Sequence, residues 1–172
     1  MKKVLFFLLL APLASYAQQS IDLTTEHAAN FNGFEYGFDI TNERKMEIKN
    51  ENYNRFELRV YVRNNSGCSK ILFPRPTAFG EQNQNLLAAF LCVNATGKRL
   101  TSKDAQVYAG PFVIPYKQTV KNAEGKMITT TTNIQVGHLL KNGEISSENL
   151  IVIVPEGEAP RMKVVVQDLI EL

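Results

Sequence analysis

Hydrophobic and polar positions alternate with a period of two along several stretches of this 172-residue chain. The clearest is FELRVYVR at 56–63, where Phe56, Leu58, Val60 and Val62 are separated by Glu57, Arg59, Tyr61 and Arg63. Successive side chains of a strand point to opposite faces, so this stretch predicts a strand with one buried and one wet face. It ends at Asn64-Asn65-Ser66-Gly67, a turn signal, and a short run, KILF, follows before Pro74 and Pro76 stop it. FEYGFDI at 34–40 repeats the logic, with Phe34, Tyr36, Phe38 and Ile40 on one side and Glu35, Gly37 and Asp39 on the other. Further predicted strands are KMEI (45–48), LLAAFLCV (86–93), QVY (106–108), FVIPY (112–116), KMITTTTNIQV (126–136), NLIVIVP (149–155) and RMKVVVQDLI (161–170).

Many short strands punctuated by Asn, Gly and Pro turns predict an all-β fold, a single antiparallel β-sandwich. Two stretches pull against it. EQNQNLLAAFLC (81–92) is rich in helix formers, yet the turn Asn94-Ala95-Thr96-Gly97 directly after Val93 favours a hairpin strand. In TTEHAAN (24–30), Thr25 is placed to cap one short helical turn.

The order of FELRVYVRNNSG, FLCVNATGKRL and VGHLLKNGEISSENLIVIVPEG resembles the small exported immunoglobulin-like sandwich domains of bacteria. The matching residues are Asn64 and Asn65, Gly97, Gly143-Glu144, and the apolar strand 150–155 closed by Pro155. The resemblance covers about residues 53–170 and is one of strands and turns, so it implies a fold and carries no functional residue across. Such domains serve in adhesion, assembly and partner binding. By this reading residues 53–172 form the immunoglobulin-like sandwich, and residues 18–52 are an N-terminal extension or extra edge strands.

The N-terminus changes the picture of compartment and charge. Lys2 and Lys3, an apolar stretch from Val4 to Ala14, and Ser15-Tyr16-Ala17 make residues 1–17 a secretory signal peptide cut before Gln18. The apolar stretch is too short to span a bilayer, which takes about 20 residues. No stable membrane insertion is expected after cleavage, and a periplasmic or secreted location follows. The 19 Lys+Arg lose Lys2 and Lys3, leaving 17 to balance 17 Asp+Glu. A neutral domain gives no electrostatic case for nucleic acid. Arg55, Arg59 and Arg63 read as a solvated strand face.

Candidate chemistry is sparse. His27, His138, Cys68 and Cys92 lie far apart and match neither CxxC nor HxxxH, so no metal or cofactor is expected. His138 reads as a packing or turn residue, and no nucleophile elbow, phosphate loop or dinucleotide fingerprint is present. The threonine run 129–132 is too short and unrepeated to build an ice-binding array. The expected function is therefore non-enzymatic: an exported binding or assembly module of the bacterial cell envelope acting through protein–protein contacts. The alternatives are a periplasmic inhibitor or immunity protein, and a small hydrolase whose catalytic residues sequence does not reveal.

Two sites carry open alternatives. Phe34, Tyr36 and Phe38 either fill the buried face of a strand or form a partner-binding strand, exchanged with another subunit's sheet edge. Cys68 and Cys92, two cysteines in an oxidising compartment, predict one disulfide. Its loop of about 25 residues would contribute about 3–4 kcal/mol from loop entropy. Otherwise Cys92 stays reduced in the core and Cys68 is exposed.

Overall fold

Every even-numbered residue of β4 (Glu51–Asn64) from Asn54 to Asn64 is buried, while its odd-numbered neighbours stay half-buried or exposed. The alternation read from sequence thus sets which face of the central strand meets the core. The computed structural model describes residues 20–25, 27–74, 85–100, 103–166 and 169–171; the predicted signal peptide lies outside them. On one side β4 pairs with β3 (Phe34–Ile48), on the other with β10 (Ile145–Pro155), and β2 (Ala29–Phe31) completes the order β10-β4-β3-β2. β3 turns into β4 through Lys49 and Asn50, both at positive φ (51° and 65°), the conformation of a two-residue hairpin loop that matches strand twist.

A second sheet has the order β1-β11-β6-β7, from β1 (Ser20–Leu23), β11 (Arg161–Val166), β6 (Leu86–Val93) and β7 (Ala105–Tyr108). Its inward side chains, Phe90, Met162 and Val164 among them, merge with Leu58, Val60, Val62 and Val152 of the first sheet in one hydrophobic cluster. Burying each such side chain stabilises the fold by about 1.5–3 kcal/mol. The third sheet, β12-β5-β9-β8, joins β12 (Leu169–Glu171), β5 (Lys70–Pro74), β9 (Met127–Leu140) and β8 (Gly110–Lys121). All pairings are antiparallel and no helix occurs among the described residues, so the chain is all-β.

Three turns share one chemistry. NNSG (64–67), NATG (94–97) and NAEG (122–125) each place glycine at φ 80–84°. In each, the leading asparagine's Oδ1 accepts a backbone N–H two residues on: Ser66 at 3.0 Å, Thr96 at 3.0 Å and Glu124 at 3.1 Å. An Asx turn closed by a left-handed glycine is what asparagine and glycine favour at these positions.

Some expectations change. In TTEHAAN, Thr24 and His27 make an isolated antiparallel bridge, the His27 N–H donating to the Thr24 carbonyl at 3.4 Å, and Glu26 lies outside the described residues. Residues 86–93 are a strand despite their helix formers, because they run between β11 and β7 with Leu87, Ala88, Phe90, Cys92 and Val93 buried. Within the segment 18–52, β1 and β2 are edge strands and β3 lies between β4 and β2. The predicted Cys68–Cys92 disulfide is absent. Both thiols are free, because Cys92 points into the core from β6 while Cys68 sits exposed in the turn leaving β4.

Candidate functional site

The third sheet extends far beyond the core. β5 pairs with β9 only from Leu72↔His138 to Lys70↔Leu140, whereas β8 and β9 stay paired out to Lys121↔Met127. From Val113↔Gln135 to Lys121↔Met127 the two strands form a ribbon about 27 Å long with no third strand beside it among the described residues. Its side chains are exposed throughout.

Residues directly opposite in an antiparallel pair share a face, so the register sorts the ribbon's side chains. One face carries Ile114↔Ile134, Tyr116↔Thr132, Gln118↔Thr130 and Val120↔Ile128. It holds five large apolar side chains, each 40–49% exposed, and no charge. On the opposite face lie Val113↔Gln135, Pro115↔Asn133, Lys117↔Thr131, Thr119↔Thr129 and Lys121↔Met127, which carry the strands' two lysines. The opposite face also exposes Val113 (43%) and Met127 (67%), so the two faces differ in charge more than in apolar content, and threonines supply β-propensity where apolar groups are absent.

Its base is anchored by close packing. The register shifts between Phe112 and Val113, with Val136 the extra residue on β9, so β8 keeps its alternation and Phe112 shares the side of Ile114. Phe112 pairs with Gly137, where an added Cβ would meet the Phe73 ring at 2.9 Å. Glycine is required there to let Phe73 cross, and the two phenylalanines lead into the apolar face. His138, one residue on, is 6% exposed and burial pushes its imidazole pKa down. Asn64, fully buried, ties this base to β4: its Nδ2 donates to the carbonyls of Leu140 (2.9 Å) and Cys68 (2.8 Å).

The sequence-predicted site residues are placed elsewhere. Phe34, Tyr36 and Phe38 are 5%, 3% and 6% exposed in the core, on a strand that β4 pairs throughout this stretch and β2 pairs on the other edge from Phe34 to Tyr36. Their side chains belong to the hydrophobic core cluster. Cys68 is exposed with Ser66 Oγ at 3.6 Å, and burial pushes the Cys92 thiol up to about 11, which keeps it protonated and unreactive. The arginines of β4 lie among acids: Arg59 meets Asp39 at 2.7 Å, Arg63 meets Glu35 at 3.5 Å, and Arg55 pairs with Glu57.

An open groove of about 710 Å³ runs between the edge strands β7 and β10, past Tyr108, Glu148, Ile151 and Ile153. Its acids are occupied locally: Asp104 by Arg99, and Glu148 by the Asn149 backbone N–H at 3.1 Å. Among the described residues no three His, Cys, Asp or Glu side chains come together in a metal-holding group.

The ribbon face went unmarked in the strand reading because FVIPY and KMITTTTNIQV were separate segments there. The signal was present in the spacing of Ile114, Tyr116, Gln118 and Val120, but only pairing shows which residues of β9 complete the face. No protein family matches the chain, and no curated protein or solved structure matches it.

Proposed function

We propose that this protein is an exported, non-enzymatic binding or assembly module of the bacterial cell envelope, an immunoglobulin-like sandwich that acts through protein–protein contacts. The observation that carries this reading is the exposed ribbon β8–β9, one face of which is apolar and free of charge. Five large apolar side chains stay 40–49% exposed on one uncharged face, and contiguous exposed apolar surface of this kind marks interaction sites. The signal peptide pattern of residues 1–17 supports export, and the two antiparallel sheets around one core support the sandwich reading.

Assembly is favoured over inhibition of an enzyme by the tip. Residues 122–125 carry a single acid, Glu124, between Lys121 and Lys126, with no aromatic side chain to plug a cleft. Affinity capture from the native envelope tests the reading: the wild-type chain retains a partner, and Ile114→Lys/Ile128→Lys releases it while leaving the fold intact. Equal recovery with both chains would remove the ribbon from the function.

A further inference from the structure

We infer that the ribbon's partner is a second copy of this chain, packed face to face in an antiparallel, two-fold arrangement. The inference rests on the reading of the ribbon as a contact surface and names its occupant. Three observations carry it. The face from Ile114 to Val120 and from Ile128 to Ile134 bears no charge, whereas Lys117 and Lys121 lie on the other side, so two copies of the apolar face meet without repulsion. The face is also self-complementary in length: apolar pairs sit at both ends, Ile114↔Ile134 near the body and Val120↔Ile128 near the tip, with Tyr116 and Gln118 between them. Rotation about a two-fold axis crossing the strands at their midpoint sets each body-side pair over the other copy's tip-side pair. Ile114 then lies over Val120, Ile134 over Ile128, and Tyr116 over Gln118, and the two bodies are held at opposite ends. An isologous contact of this kind closes on itself and yields a dimer rather than a fibre.

Area is the third argument. Covering this face on both copies removes on the order of 1,000 Å² from solvent, at the threshold of a specific interface. A dimer of that size with few polar contacts falls near micromolar affinity, because ordering costs consume much of the gain. Face packing is preferred to edge pairing because Pro111 and Pro115 take two donors out of the edge strand β8, and pairing along the outer edge of β9 would leave the five apolar side chains of the face in water.

Sedimentation velocity of the mature chain, from about 1 to 500 µM, reads the proposal directly, the range bracketing the micromolar affinity expected for this area. The wild type shifts from monomer to dimer across this range, and Ile128→Lys and Ile134→Asp each weaken association at least tenfold. Because residue 128 of one copy lies over residue 134 of the other, the combined Ile128→Lys/Ile134→Asp chain recovers the dimer. Within one copy those side chains are about 20 Å apart along the strand and cannot pair with each other. A wild-type chain that stays monomeric to 500 µM overturns self-association, while capture of a different partner by the ribbon would leave the broader reading standing. Dimerisation without recovery in the combined chain overturns the antiparallel arrangement. Circular dichroism and one thermal transition for each variant establish that a lost dimer is not a lost fold.

Discussion

Asn64 Nδ2 lies 2.9 Å from the carbonyl oxygen of Leu140, a bond between residues 76 apart in sequence that fixes the root of the ribbon to the central strand. The same nitrogen donates to the Cys68 carbonyl at 2.8 Å, and Oδ1 accepts from the backbone N–H of Ser66 at 3.0 Å and its hydroxyl at 2.6 Å. The backbone of Asn64 joins too, donating to Glu144 O at 3.0 Å and accepting from Gly143 N at 2.8 Å. One side chain therefore satisfies the turn after β4 and the end of β9 together.

Replacing Asn64 with alanine takes the side-chain donor from the buried Leu140 carbonyl and the acceptor from the Ser66 N–H, each loss costing about 1–3 kcal/mol, while the Cys68 carbonyl keeps Ser66 Oγ at 3.1 Å. The expected loss for Asn64→Ala is about 3 kcal/mol, read as a shift in urea midpoint at constant m. Asn94→Ala removes the same Asx bonds from an exposed turn, where water takes over, and costs about 1 kcal/mol or less. Equal losses at the two positions would show that the link to Leu140 contributes nothing.

The cysteines separate by accessibility. With Cys68 exposed and Cys92 buried and its pKa raised to about 11, a thiol reagent at pH 8 titrates one thiol in the native chain and two in denaturant. Cys68→Ser changes stability by less than about 0.5 kcal/mol, as exposed substitutions do. Cys92→Ser puts a hydroxyl into the core and costs about 1–3 kcal/mol. Reductant leaves the wild-type midpoint unchanged; a fall on reduction would restore the disulfide.

Much of the body was legible because burial imposes a pattern. In β4 the core touches every second residue, so Phe56, Leu58, Val60 and Val62 announce both the strand and its inner face. The turns were legible for a local reason, since asparagine followed by glycine three residues on builds the Asx turn without help from the rest of the chain. The disulfide was misjudged because compartment and cysteine count say nothing about direction: Cys92 faces inward on β6, and Cys68 lies on a turn leading to a different sheet. The binding face was hidden for a third reason. Ile114 acquires Ile134 as its neighbour only through cross-strand register, which neither segment states alone.

His138 makes stability fall on mild acidification. Burial disfavours its charged form and lowers its pKa in the folded state below the ordinary 6.5. As pH drops through about 6.5 the unfolded chain takes up this proton and the folded chain does not, so unfolding is favoured. The contribution is complete above about 6.5 and is lost as pH falls toward the lower folded value. Comparing wild type with His138→Leu between pH 7.5 and 5 isolates the effect: the wild type loses more stability over this interval. Parallel curves would show that the imidazole accepts a proton in place without penalty.

The ribbon should open more readily than the core strands, for a reason its exposure makes plain. Two strands without a third, and without a covered face, are marginal in water. Between Val113↔Gln135 and Lys121↔Met127 the cross-strand hydrogen bonds open to solvent on both faces, held only by pairs such as Ile114–Ile134 and the Thr119–Thr129 hydroxyl contact at 3.0 Å. Hydrogen exchange at low protein concentration should find these amides exchanging at least about a thousandfold faster than those of Val60 and Val62, whose opening requires unfolding of the core. Replacing residues 113–136 with a two-residue Asn-Gly turn between the paired Phe112 and Gly137 should leave the thermal midpoint within about 5 °C, since the deletion removes mostly exposed surface and no core contact. A large drop would mean that the ribbon folds back on the body and that its apolar face is already covered. Protection of Ile114 and Ile128 amides that rises with protein concentration would instead report the face being covered by a partner ribbon, with the register of those two residues setting where it appears first.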